Sequence, residues 1–166
     1  MKLAAVAALL TLAAGAARAE PHAYQHDTDR FQLALSVAWV KVEGAHAWTN
    51  ASTGQTAIVT RTNVRNDAAW RNRKSFFDAI EKGVRDGAKD FRSIRVRRGK
   101  AGRVPTLDLW FSYAAPDGQD VVVAMRFLFF HAYAVTLAID TPKAKFKGQR
   151  RALEKTAKSF RPYFPK

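Results

Sequence analysis

Cysteine is absent from the sequence. That excludes disulfides, thiolate nucleophiles and cysteine-based metal centres, and it leaves no thiol to carry a lipid. The familiar catalytic signatures are missing too. No serine sits in a Gly-x-Ser-x-Gly turn, and there is no phosphate loop of the Gly-x-x-x-x-Gly-Lys type. Acidic residues are scarce, 14 against 28 Lys and Arg. Those present, such as Glu43, Glu81 and Glu154, are scattered and suggest no acid–base pair. An enzyme needs a base, a group that orients it and a pocket that excludes water. The sequence gives no sign of that set, so a non-enzyme is expected.

What is present begins with a leader. Lys2 supplies a positive start, and Leu3 to Ala17 is uncharged and rich in Ala and Leu. Ala17-Arg18-Ala19 places small residues where a signal peptidase needs them, so cleavage is expected after Ala19. The run is shorter than the roughly 20 residues that span a membrane. The chain is therefore expected to be exported, to the periplasm or beyond, from a bacterial cell. Loss of residues 1–19 removes Lys2 and Arg18, and the formal net charge of +14 falls by two to +12. Without disulfides the mature chain has to hold by burial, and about 150 residues suffice for one core.

Residues 20–30 are polar and read as a flexible lead-in, and 31–166 as a single domain. Phe31-Gln32-Leu33-Ala34-Leu35-Ser36 alternates with period two, as a strand does. Thr56 to Asn63 is rich in β-branched residues and reads as another. Phe77, Ile80, Val84, Ala88 and Phe91 fall three and four apart, the apolar stripe of a helix over about 68–91. Asn66 or Asp67 can cap its start. Gly83 and Gly87 weaken that helix, which suggests close approach to a flat sheet.

Ser93 to Arg98 reads as a short strand and Gly99 to Arg103 as a basic loop. In Val104 to Ala114, Leu107, Leu109, Phe111 and Tyr113 point one way, and Asp108, Trp110 and Ser112 the other. Pro116-Asp117-Gly118 is a strong turn signal, so a hairpin to Asp120–Phe130 is expected. Val121 to Ile139 is almost wholly apolar. A membrane helix is the rival reading, but Arg126 and His131 interrupt the run and its Val, Phe and Tyr favour strands. Two strands with a turn near His131 are expected. Phe146, Leu153, Ala157 and Phe160 mark a last helix, over about 145–160. Helices on a mainly antiparallel sheet of six or seven strands make an α/β/α sandwich.

This arrangement resembles the Mog1/PsbP-like family, which includes exported bacterial members. The resemblance rests on Phe31-Gln32-Leu33 leading to Trp39, the helix with Phe77 and Ile80, and the strand of Leu107, Leu109 and Tyr113 after Pro105. It rests also on Tyr133 to Ile139 and the helix end Lys158-Ser159-Phe160. It implies an α/β/α sandwich that binds other proteins. It carries over no catalytic residue, because the family shares none.

Two constellations remain. Arg95 and Arg97 alternate to one side, followed by Arg98, Lys100 and Arg103. Arginine forks suit phosphate, sulfate and carboxylate, so these five are the candidate anion- or partner-binding residues. The bland alternative is a solvated edge strand whose charges block unwanted pairing. Arg71, Arg73 and Lys74 form a second basic group. His22 and His26, with Asp27 and Asp29, have the spacing of a small metal cluster. Pro21 and the polar flank argue against the helix such a site would use, and a solvated tail is the reading; neither a metal nor a cofactor is expected. The partner expected is a protein of the envelope, the alternative being anionic lipid or polysaccharide. An exported chain rarely meets nucleic acid.

Overall fold

A computed structural model describes residues 23–36, 38–64 and 73–164. Its strands are β1 (Ala23–His26), β2 (Phe31–Ala34), β3 (Val40–Lys41), β4 (Ala47–Asn50) and β5 (Gln55–Asn63). Helix α1 (Arg73–Gly87) follows, then β6 (Arg92–Ala101), β7 (Val104–Ala114), β8 (Asp120–Phe129) and β9 (Tyr133–Pro142). Helix α2 (Lys143–Ser159) and the short β10 (Arg161–Pro162) close the fold.

Hairpin chemistry sets the order of the main sheet. Leu109 opposite Met125 and Ala114 opposite Asp120 fix the β7–β8 register around the Pro116-Asp117-Gly118 turn, where Gly118 takes the positive φ of 82°. The apolar stretch Val121 to Ile139 is β8 and β9, joined through His131. No helix among the described residues is long and apolar enough to cross a membrane. The result is a seven-stranded sheet in the order β3-β4-β5-β9-β8-β7-β6, with every neighbouring pair antiparallel.

Alternation then makes two cores. Leu107, Leu109 and Phe111 face α1 and meet Phe77 and Val84. Trp110, Leu128 and Leu137 face the other way, toward Leu153, Ala157 and Phe160 of the α2 segment. Each of the Leu, Val and Phe side chains among these contributes about 1.5–3 kcal/mol by leaving water. Both faces of the sheet are covered, so Trp110, only 2% exposed, is core.

Four expectations change. Phe31 to Ala34 is not in the main sheet: β2 pairs with β1 and β10 in a separate three-stranded sheet. The expected lead-in is therefore ordered from Ala23 on, because β2 needs partners for its backbone groups. The first helix ends at Gly87 rather than near 91, and Asp90 turns the chain with φ of 55°. Its expected start, with Arg71 and the caps Asn66 and Asp67, lies outside the described residues. Gly83 is not a point of close approach, since a Cβ there would meet nothing within 4 Å.

Candidate binding surfaces

The five candidate cations lie on an edge strand, and the strand divides them. Strand β6 continues through Gly99 and Lys100 to Ala101, so the expected loop Gly99–Arg103 shrinks to the two-residue turn Gly102-Arg103. Strand β7 supplies hydrogen-bond partners along this whole length, whatever its composition. Gly102 takes φ of 61° at the turn, which glycine does at no steric cost.

A bulge between Ser93 and Arg95 sets Arg95 opposite Trp110 and Arg97 opposite Asp108. Both therefore point to the α2 side, as their alternation implied. The Arg95 guanidinium lies 4.7 Å from the Trp110 ring centroid and pairs with Glu154 of α2. Arg98 and Lys100 point to the opposite face. Arg98 lies over Phe77 and pairs with Asp78 of α1. Arg103 joins Arg161 and Phe164 along an open groove of about 670 Å³. The cluster does not converge on one anion. Among the described residues, only Arg97, Lys100 and Arg103 of the five form no ion pair.

Behind Arg97 lies a charged pair within the fold. Arg126 donates to both Asp108 oxygens, at 3.0 and 3.2 Å. Burial raises the Asp108 carboxyl above its ordinary range, although Arg126 and Arg97 pull against that. The pair lies on the α2 side of the sheet, beside the basic strand.

The larger basic surface is on α2. Seven of its 17 residues are Lys or Arg and one is acidic, so the helix presents far more positive charge than it can pair. Leu153 and Ala157 turn inward, while Lys143, Lys145, Lys147, Arg150, Arg151, Lys155 and Lys158 are all exposed. Lys143 pairs with Asp120; Glu154 is taken by Arg95, whose hydrogen bond holds its carboxyl below the usual range. Arg97 on β6 shares this side of the sheet. A third cluster lies near the opposite edge, where His26, Asp29 and His46 come together.

No family model matches the chain, and no curated protein matches its sequence. Solved structures do match its shape. Cyanobacterial PsbP (CyanoP) from Synechocystis aligns at a TM-score of 0.59 and 13% identity, covering 93% of this chain and 99% of its own. The Ran-binding protein Mog1p of Saccharomyces cerevisiae aligns at 0.56 and 9% identity, covering 89% and 97%. The chain has the Mog1/PsbP-like fold. LpqN of Mycobacterium tuberculosis, described as involved in cell envelope biogenesis, aligns at 0.53 and 12% identity, covering 87% and 86%.

Within this Mog1/PsbP-like fold, sequence reasoning found β6 but missed the basic face of α2. Its signal was in plain view, because the cations from Lys143 to Lys158 avoid the apolar stripe. His46 was missed for a different reason: its meeting with His26 depends on tertiary contact between two sheets. Of the second basic group, Arg71 lies outside the described residues, Arg73 begins α1 and Lys74 is exposed on it.

Proposed function

We propose that this chain is an exported, non-catalytic binding domain that docks on an acidic protein surface in the cell envelope. Its contact face is the solvent side of α2 together with Arg97. The observation that carries the reading is the excess of exposed, unpaired cations on that helix. Among the described residues only Lys143 of the seven forms an ion pair, and charge of one sign over an extended face draws an oppositely charged partner and speeds encounter. The fold supports the reading: Mog1p is a Ran-binding protein and LpqN has a part in envelope biogenesis. The scattered acids and the open form of the groove beside Arg103 favour binding over chemistry.

The same charge suits anionic lipid or polysaccharide, and salt separates the two. The tagged protein is incubated with an envelope extract and washed at low, then high salt; retained proteins and lipids are quantified by mass spectrometry. The docking reading expects one protein retained in stoichiometric amount, weakened but not abolished by salt. Broad acidic material released together on raising salt would replace it with the electrostatic reading.

A further inference from the structure

The cluster at the β3–β4 edge bears on neither the basic helix nor β6. His26 ends β1, Asp29 lies in the turn between β1 and β2, and His46 lies in the loop before β4. One ring nitrogen of each histidine and a carboxylate oxygen of Asp29 lie within 4.8 Å of one another. The two imidazoles meet edge to face, with centroids 4.7 Å apart. Two protonated imidazoles so placed would repel.

The surroundings resemble the outer shell of a metal centre. The Tyr24 hydroxyl lies 3.0 Å from Nδ1 of His46 and fixes the plane of that ring. The backbone of His46 is anchored as well, its carbonyl accepting from the Val59 N–H at 2.8 Å. Asp29 is held from two sides: Arg61 donates to Oδ1 at 2.8 Å and competes with an ion for that carboxylate, while Oδ2 lies 3.3 Å from Nδ1 of His26, which accepts from the Asp29 N–H at 3.1 Å and leaves Nε2 as the His26 ligand atom. The bonds from Tyr24 and from the Val59 N–H to His46 are of the second-shell kind that orients a ligating group. Bonds of about 2.0–2.2 Å to a tetrahedral ion place its ligand atoms about 3.3 Å apart. The three ligand atoms, within 4.8 Å of one another, would close in by up to about 1.5 Å to reach that spacing.

We propose that His26, His46 and Asp29 bind a divalent transition-metal ion of the zinc class, with water in the open position. Two imidazoles and one carboxylate select such an ion over Mg²⁺ or Ca²⁺, which prefer all-oxygen shells. The ligands come from the small sheet and from the β3–β4 loop of the main sheet, so the ion clamps one to the other.

The test uses the protein stripped with chelator and titrated with Zn²⁺ by calorimetry, and with Co²⁺ by its visible absorption. One ion per chain is expected, with a rise in the unfolding midpoint. His26→Gln and His46→Gln each weaken binding at least tenfold, while His131→Gln leaves it unchanged. Arg61→Gln removes the cation that competes for Asp29 and tightens binding several-fold, a gain that a misfolded protein cannot give. Absence of uptake, uptake indifferent to both histidine variants, or an Arg61→Gln protein no tighter than wild type would overturn the site.

Discussion

Helix α1 carries four basic and three acidic residues, whereas α2 carries seven and one. On α1 five of the seven charges are consumed locally: Lys82 pairs with Asp86, Arg85 with Glu81, and Asp78 with Arg98 of the neighbouring strand. On α2 only Lys143 and Glu154 find partners among the described residues. The two helices nevertheless dock in the same way, through an apolar stripe on opposite faces of one sheet. The difference teaches that charge is not what seats either helix. Where it is balanced it decorates the fold, and where it is left over it is available to something outside.

The largest effects should come from the stripes, equally on both sides. Leu153→Ala and Phe77→Ala each remove a buried anchor, 1% and 7% exposed. Each should cost about 2–5 kcal/mol of stability in denaturant unfolding. A loss on only one side would break the symmetry of the account.

Next comes Asp140, on the α1 side of β9. Burial alone pushes its carboxyl up to about 6, whereas an unfolded Asp titrates near 4. Between those values the folded state holds the extra proton. Stability should therefore fall as pH rises from about 4 to about 6, by about 2–3 kcal/mol from this group, and level off above. Asp140→Asn should flatten that slope and raise the unfolding midpoint at neutral pH. A slope unchanged in the variant would assign the effect elsewhere.

The smallest effect belongs to the paired surface charges. Asp78→Asn should lower stability by less than about 1 kcal/mol, because exposed ion pairs are worth little. A larger loss would mean that the Arg98–Asp78 pair helps to seat α1, and the contrast between helices would need redrawing.

The sequence was legible wherever a local period reports burial. The Leu107–Tyr113 alternation, the Pro116-Asp117-Gly118 turn and the stripe of Phe146, Leu153, Ala157 and Phe160 all lie where their spacing placed them. It was opaque wherever partners are remote. The small sheet joins Phe31 to Pro162, and β10 is too short to leave a periodic trace. Arg95 and Arg98 looked like one patch because the chain shows their closeness but not the sheet that separates them. Their acids, Glu154 and Asp78, lie 59 and 20 residues away. The histidine cluster was half visible. His26 and Asp29 are neighbours in the chain, and only the meeting of two sheets brings in His46.

The contrast between helices is tested most directly by matched charge reversals. Lys82→Glu with Arg85→Glu alters α1, and Lys147→Glu with Arg151→Glu alters α2. Recovery of any envelope protein that the wild type retains is then compared, with circular dichroism confirming the fold. Retention by the α1 variant and loss by the α2 variant is the predicted result. Equal retention by both, or equal loss from both, would contradict the assignment of docking to α2.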